Sequence, residues 1–246
     1  MDVVSIITEN LLATRRRIAD AAERGGRSAD EVRLVAVTKT RPAHLIHALL
    51  AAGQRILAEN RIQEALPKIA QIAAEAPADQ VPEWHLIGHL QTNKARQAAE
   101  SFALIHSVDS ERLLLALDMA AGRLGRKARA LIQVNVASEQ QKSGCASWEA
   151  RALFDRAESL EWVQLEGLMA MAPLVADPEL ARPTFQGLRR LRDQLLDAGV
   201  RPERLKELSM GMSSDFEVAV EEGATLTRIG SALFRGVEDA EGNRGT

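Results

Sequence analysis

The fold is decided by the stretch Leu34-Val35-Ala36-Val37-Thr38-Lys39-Thr40-Arg41-Pro42, in which four apolar residues lead almost directly to a lysine. A short apolar run bounded by a turn signal is typical of a strand buried on both faces, as in a parallel sheet. We therefore expect Lys39 where this strand ends, at the mouth of whatever the sheet encloses. Desolvation there would disfavour the charged ammonium and leave an amine able to form a Schiff base. The alternative is that Lys39 ends the strand and reaches water, as most lysines do.

Seven further strand patterns follow this one, and helical patterns separate them. The predicted strands span residues 34–39, 55–58, 84–88, 103–108, 128–136, 165–170, 205–210 and 225–230. A helical pattern over residues 2–24, with apolar residues close to a 3.6 period, precedes the first strand. Eight strands that alternate with helices match a (β/α)₈ barrel in number and total length. The sequence therefore predicts an α/β fold, a single TIM barrel with an extra N-terminal helix.

The alternative to a barrel is a doubly wound open sheet. A dinucleotide site of that fold needs Gly-x-Gly-x-x-Gly after the first strand, and no such motif follows residue 39. We see neither a linker nor a low-complexity segment, so residues 1–237 are expected to form one domain. Residues 238–246, with two glycines and alternating charges, are expected to be a flexible C-terminal tail.

Composition excludes several classes of protein. The net charge of -3 does not suggest a nucleic-acid binder. The single cysteine, Cys145, rules out a disulfide within the chain and fits a reducing cytoplasm. No apolar run reaches the roughly 18 residues of a membrane span, and Asp2 stands where a signal peptide carries positive charge. We therefore expect a cytoplasmic protein that binds neither nucleic acid nor membranes.

Polar residues recur where the predicted strands end, which is where barrel enzymes carry their active sites. The last two ends are Ser209-Met210-Gly211-Met212-Ser213-Ser214-Asp215 and Arg228-Ile229-Gly230-Ser231, each directly before a helical pattern. Loops after strands seven and eight, with their helix N-termini, form the recurrent phosphate site of barrels. Ser213 and Ser231 are therefore candidate phosphate ligands, and Gly230 would let the ligand approach the backbone. The alternative is that Ser213, Ser214 and Asp215 only cap a helix.

A reactive lysine beside a phosphate site points to a phosphorylated carbonyl compound as the ligand. Pyridoxal phosphate fits this description, with its aldehyde bound to Lys39 as a Schiff base. A sugar phosphate bound in the same way, as in a class I aldolase, would use similar parts.

The sequence resembles the pyridoxal phosphate homeostasis protein family in motifs that cover nearly the whole chain from about Val32 to Arg235. The motifs that carry the resemblance are Val37-Thr38-Lys39, Glu59-Asn60-Arg61-Ile62-Gln63-Glu64, His85-Leu86-Ile87-Gly88-His89-Leu90-Gln91-Thr92-Asn93-Lys94, Ser107-Val108-Asp109-Ser110, Gln133-Val134-Asn135, Lys142-Ser143-Gly144, Gly167-Leu168-Met169-Ala170-Met171, Leu208-Ser209-Met210-Gly211-Met212-Ser213-Ser214-Asp215 and Arg228-Ile229-Gly230-Ser231-Ala232-Leu233-Phe234. Motifs of this length in this order are highly specific.

The resemblance implies a barrel related to the N-terminal domain of alanine racemase, with pyridoxal phosphate on Lys39. It implies a phosphate held around Ser213, Gly230 and Ser231. By analogy with alanine racemase, Arg228 would face the pyridine nitrogen. An arginine keeps its proton, so the ring nitrogen would stay unprotonated and the cofactor would be a weaker electron sink.

Asn60 is a further candidate, as a polar neighbour of the cofactor ring. His85 is a weaker one, because it sits inside a predicted strand and is expected to face the core. The sequence also departs from the family pattern beside Asn60. Leu57 and Ala58 replace the usual Phe-Gly, and Arg61 stands where tyrosine is common.

The function implied is that of a carrier or regulator of intracellular pyridoxal phosphate without robust catalysis. The alternative is a pyridoxal phosphate-dependent amino-acid racemase, or a related enzyme, with Lys39 as base. Two-base racemisation needs an acid or base on each face of the intermediate; in the racemases the second is a tyrosine, and this chain contains none. We expect a monomer whose partners are pyridoxal phosphate and apoenzymes that require it.

Overall fold

The eight predicted strands are all present in the computed structural model, which describes residues 2–77, 80–136 and 143–237. Every strand end lies within two residues of its predicted position. The barrel strands are β1 (Arg33–Val37), β2 (Ile56–Glu59), β3 (Glu83–Leu86), β4 (Leu104–Val108), β5 (Ala128–Asn135), β6 (Val163–Met169), β7 (Glu207–Ser209) and β8 (Leu226–Ile229). A further two-residue strand, Cys145–Ala146, pairs separately with the end of β5.

The strands form a closed parallel barrel. Each strand from β1 to β8 pairs with the next along the chain, and β8 pairs with β1. This closure confirms the predicted TIM barrel, and the alternative of a doubly wound open sheet is wrong. Because all strands run in the same direction, their carboxyl ends open at one face of the barrel.

Helices surround the strands in the order that the sequence predicts. They are α1 (Val3–Arg24), α2 (Ala43–Ala51), α3 (Ile62–Glu75), α4 (Ala95–Ser101), α5 (Glu111–Leu124), α6 (Ala150–Glu158), α7 (Arg182–Asp197) and α8 (Phe216–Glu221). A single 3₁₀ turn, Ser231–Phe234, follows β8. The extra helix α1 begins where the Asp2 carboxylate accepts a hydrogen bond from the Ser5 N–H. It packs against α2, α8 and the 3₁₀ turn.

The core has two layers. The larger lies between the strands and the helices and contains the buried apolar residues of every helix. The smaller fills the inside of the barrel and consists of Val35, Val37, Ala58, Leu104, Leu131, Met169 and Leu226. Polar side chains share this interior near the carboxyl ends of the strands, which places them directly under the candidate site.

Two predictions lie partly or wholly outside the structure. The flexible tail predicted for residues 238–246 falls outside the described residues, and the domain bounds stay a prediction. In the described part of the chain, no helix has both the length and the apolar character needed to cross a membrane.

Strand packing between β6 and β7 yields a stability prediction. A Cβ placed at Gly167 would lie 1.9 Å from the carbonyl oxygen of Glu207, so alanine there must push the two strands apart. We expect Gly167→Ala to lower the free energy of unfolding by about 2–3 kcal/mol in urea denaturation. Gly53→Ala is the control, since Gly53 has a φ of +83° but no described heavy atom within 4 Å of its Cβ position. It should cost about 1 kcal/mol, and equal losses would contradict the packing argument.

Candidate functional site

Six residues predicted for the site lie at the carboxyl ends of four adjacent strands. Asn60 follows β2, Lys39 follows β1, Gly230 and Ser231 follow β8, and Arg228 is inside β8; Ser213 lies in the loop after β7. These strands are neighbours in the order β2-β1-β8-β7. Barrel closure therefore gathers residues from both ends of the chain at one side of the mouth.

Lys39 is solvent-exposed, two residues beyond the end of β1. Of the two interpretations of Lys39, the structure supports the one in which its side chain reaches water. The Lys39 backbone is constrained. Thr40 has a φ of +63°, an uncommon conformation for a β-branched residue, and its hydroxyl donates to the Lys39 carbonyl oxygen at 2.6 Å. Such local strain is typical of functional sites.

A buried polar cluster lies directly behind Lys39. The fully buried Glu59 carboxylate accepts hydrogen bonds from the Thr38 hydroxyl at 2.6 Å and the Lys68 ammonium at 2.7 Å. Lys68 also donates to the Thr38 carbonyl oxygen at 2.9 Å. The cluster fixes the backbone just before Lys39 to the end of β2. The sequence analysis did not predict this cluster, in which Lys68 comes from the second turn of α3.

Asn60 is exposed and held against the end of β3. A Cβ placed at Gly88 would lie 1.9 Å from the Asn60 carbonyl oxygen and 2.7 Å from its Oδ1. Only glycine therefore allows this close approach. The neighbouring Arg61 has 73% of its side chain exposed and binds Glu64 at 3.0 Å, so this departure from the family pattern points away from the barrel.

Two backbone N–H groups converge on the Ser213 hydroxyl at the start of the last 3₁₀ turn. The Gly230 N–H donates to the Ser213 Oγ at 3.1 Å and the Ala232 N–H at 3.5 Å. Ser213 therefore bonds across to the β8 loop and makes no cap of α8, for which no side-chain cap bond is formed. Because the Ser213 oxygen accepts from both N–H groups, its own O–H is left to donate, which makes Ser213 a candidate anion ligand beside the backbone of Gly230.

The loop that carries Ser213 is held in shape by its own contacts. The buried Asp215 carboxylate accepts a hydrogen bond from the Met212 N–H at 2.6 Å, and burial raises the pKa of Asp215. Gly211, at a φ of +90°, lets the chain pass within contact of α8, since a Cβ there would lie 2.6 Å from the Ala219 Cβ. The Asp215 side chain therefore stabilises the loop itself and makes no cap bond to α8.

Arg228 points into the barrel and is only 4% exposed. Its guanidinium donates to the Ser209 hydroxyl at 2.6 Å and to the Ala170 carbonyl oxygen at 2.9 Å. Burial lowers the pKa of Arg228 to about 10, so it remains a cation at neutral pH. The side chain is thus a fixed positive charge under the mouth.

His85 is buried in the barrel interior, as the sequence predicts, but it is connected to Arg228. Its Nδ1 lies 3.0 Å from the Nε2 of His106, whose Nδ1 lies 2.8 Å from the Ser209 hydroxyl. At its other side, the His85 Nε2 lies 3.0 Å from a Glu83 carboxylate oxygen. Sequence reasoning missed His106 and the role of Ser209. The sequence feature that could have indicated His106 is its position within the largely apolar strand β4.

The cluster behind Lys39 yields a second stability prediction. Lys68→Met leaves the buried Glu59 carboxylate without its cation, and we expect a loss of about 3–5 kcal/mol in the free energy of unfolding. The double variant Glu59→Gln, Lys68→Met removes both charges and should recover most of that loss. Urea denaturation of the three proteins measures this, and a double variant as unstable as Lys68→Met would refute the ion-pair account.

The comparisons with known proteins agree with this geometry. Residues 10–237 match the family model described as alanine racemase, N-terminal domain. The chain is 42% identical over 233 residues to the pyridoxal phosphate homeostasis protein of Pseudomonas aeruginosa, covering 94% of this chain and 96% of that one. It is 40% identical over 227 residues to the protein of the same name from Aquifex aeolicus, covering 92% and 96%.

A solved structure shows the same fold at similar identity. PipY of Synechococcus elongatus, determined with pyridoxal phosphate bound, superposes with a TM-score of 0.79 at 39% sequence identity, over 93% of this chain and 99% of that one. Together with the barrel and the position of its strand-end residues, these matches establish that the chain belongs to the pyridoxal phosphate homeostasis protein family, on a barrel of the alanine racemase N-terminal type.

Proposed function

We propose that this protein binds pyridoxal 5'-phosphate at the mouth of the barrel and carries or regulates the intracellular pool of this cofactor without robust catalysis. The observation that carries the proposal is the convergence of the Gly230 and Ala232 N–H groups on the Ser213 hydroxyl, beside the strand that leads to Lys39. The names of the relatives and the cofactor in PipY support it.

The residues at the mouth fit the chemical groups of the cofactor. The phosphate is a dianion suited to the hydroxyls of Ser213 and Ser231, beside the backbone of Gly230. The Ser213 oxygen accepts from the Gly230 and Ala232 N–H groups, which leaves its own O–H to donate to the phosphate. The cofactor supplies an electrophilic aldehyde carbon, to which the exposed Lys39 amine adds with loss of water. Asn60 is proposed as the polar neighbour of the ring.

Arg228 is proposed to donate to the pyridine nitrogen. A guanidinium has five donors, and Ser209 and Ala170 take up two of them among the described residues. Because Arg228 keeps its proton at neutral pH, the ring nitrogen that it meets accepts a hydrogen bond and stays unprotonated. An unprotonated ring withdraws electrons weakly, which favours storage of the cofactor over carbanion chemistry.

The exposure of the site also favours carriage over catalysis. Lys39, Asn60 and Ser231 are all exposed, so bound cofactor is in contact with water. A wet site stabilises a carbanion poorly, and the absence of tyrosine removes the usual second base of the racemases. An open mouth also permits transfer of the cofactor to apoenzymes that require it, which we propose as partners of a monomeric, cytoplasmic protein.

Two enzymatic alternatives make different predictions. A racemase with Lys39 as base would convert L-amino acids to D-isomers faster than free cofactor does. A sugar-phosphate aldolase would be colourless and would be trapped with its substrate by borohydride.

The visible spectrum tests the proposed function. Purified protein with added pyridoxal phosphate should show a violet-absorbing band that borohydride removes, with the cofactor then linked covalently to the Lys39 peptide in mass spectrometry. Lys39→Ala should lack the band, because the amine is gone. Lys127→Ala, a change of an exposed lysine before β5, should retain it. A band of wild-type intensity in Lys39→Ala would overturn the assignment of Lys39.

Affinity tests the anion site separately. Ser213→Ala removes the hydroxyl on which the two N–H groups converge, so we expect the dissociation constant for pyridoxal phosphate to rise roughly tenfold or more. The matched control is Ser214→Ala, since Ser214 is the exposed neighbour in the same loop. Fluorescence titration measures the dissociation constant of each variant. If Ser213→Ala binds pyridoxal phosphate as tightly as Ser214→Ala does, the result would count against a phosphate at Ser213.

A further inference from the structure

A continuous set of polar side chains crosses the barrel interior from Arg228 on β8 to Glu83, the first residue of β3. Its successive contacts are Arg228 to the Ser209 hydroxyl at 2.6 Å, Ser209 to the His106 Nδ1 at 2.8 Å, His106 Nε2 to the His85 Nδ1 at 3.0 Å, and His85 Nε2 to Glu83 at 3.0 Å. Ser209, His106 and His85 are all fully buried. The proposed function uses only its first member, so the rest require a separate account.

The two ends of this chain determine the direction of every hydrogen bond in it. Arg228 can only donate, whereas the ionised Glu83 carboxylate can only accept. The hydrogen bond from His85 holds the pKa of Glu83 below its usual range, which keeps it ionised. His85 must therefore carry a proton on Nε2, and the Ser209 oxygen must accept from Arg228.

The directions of the two middle hydrogen bonds follow because both imidazoles are neutral. With its proton on Nε2, neutral His85 accepts at Nδ1, so His106 donates from Nε2. Neutral His106 then accepts at Nδ1, and the Ser209 O–H donates to it. Arg228, Ser209, His106 and His85 therefore each donate in the direction of Glu83, and each of these four hydrogen bonds has one donor and one acceptor.

A protonated imidazole would break this arrangement. With either histidine charged, a ring N–H would be directed at the Ser209 oxygen, and the Ser209 O–H would lose its acceptor in the chain. The groups around the two rings also oppose a further positive charge: Arg33 on β1, Arg129 on β5 and Arg228 on β8 face them, with Glu83 as the carboxylate. Burial lowers the pKa of both histidines.

We propose that Ser209, His106, His85 and Glu83 are positioning residues, whose one-directional hydrogen-bond chain holds the Arg228 guanidinium in the orientation that meets the ring nitrogen of bound pyridoxal phosphate. Because the Ser209 O–H donates to the His106 Nδ1, the Ser209 oxygen is left to accept a hydrogen bond from Arg228. The last acceptor, Glu83, lies at the opposite end of the barrel from the mouth. This inference rests on the proposed function for its ligand, but the direction of the chain is a property of the protein alone.

The direction is measured in the ligand-free protein by NMR with ¹⁵N-labelled histidine. We expect His85 and His106 both to be neutral, protonated on Nε2 and unprotonated on Nδ1, from about pH 6 to pH 8. Spectra of His85→Gln and His106→Gln assign the signals. A proton on the Nδ1 of either ring would overturn the proposed chain, whatever the protein binds.

The positioning role is measured by cofactor affinity in three variants. Ser209→Ala removes an acceptor of Arg228 and should weaken binding of pyridoxal phosphate about tenfold. Glu83→Gln replaces the terminal acceptor by an amide and should weaken binding and mix the His85 tautomers. Glu222→Gln is the control, because Glu222 is a buried carboxylate that pairs with Arg182 and Arg189 of α7, outside the barrel interior.

The outcomes separate this inference from the proposed function. Weaker binding in Ser209→Ala and Glu83→Gln, with wild-type affinity in Glu222→Gln, supports the positioning role. Wild-type affinity in all three, with the cofactor bound, refutes it and leaves the proposed function standing. Failure of the wild-type protein to bind the cofactor would overturn both. Thermal melting of each variant confirms that it is folded.

Discussion

The parallel pairing of β1 with β8 is the constraint on which the rest of the structure depends. Its register runs from Arg33 opposite Leu226 to Ala36 opposite Ile229. The pairing joins the first and last strands, so the residues that follow them come together. In a doubly wound open sheet, the first strand would lie inside the sheet and the last at an edge, so Lys39 would be far from Gly230. Here a Cβ placed at Gly230 would lie 3.4 Å from the Val37 Cβ, and the two loops share one mouth.

Contacts beyond the strands reinforce the same junction. The Arg41 guanidinium lies 4.8 Å from the centre of the Phe234 ring, which joins the β1 loop to the last 3₁₀ turn. The α1 side chain Asn10 donates to the carbonyl oxygens of Leu233 and Arg235. The extra N-terminal helix thus holds the segment that follows the proposed phosphate site.

The closed barrel encloses several buried polar side chains, among them Arg228, His85 and His106. A guanidinium and two imidazoles in an apolar cavity are costly unless each polar atom has a partner. The hydrogen-bond chain from Arg228 to Glu83 supplies those partners across four strands. A buried polar network whose members are paired in this way is rigid. An apolar filling would serve stability as well, so the positioning role that we propose gives these polar residues a use that stability alone does not require.

The sequence was sufficient to predict the strands, the helices and the segments of the mouth, because these depend on local patterns and on strand ends. It was not sufficient for contacts between strands that are distant in the chain. The bonds of His106 to His85 and Ser209 depend on the inward register of three strands, which no local pattern contains. Lys39 lies beyond the end of β1, as predicted, and of the two interpretations of its side chain the structure supports exposure to water. The Lys39 backbone is constrained by Thr40 and by the Glu59–Lys68 pair.

A crystal structure of this protein with pyridoxal phosphate tests the central claim most directly. The account predicts continuous density from the Lys39 Nζ to the cofactor, with the phosphate at the Ser213 and Ser231 hydroxyls beside Gly230, and the ring nitrogen facing Arg228. Cofactor bound away from this junction of β1 and β8, or with its phosphate elsewhere, would contradict the account.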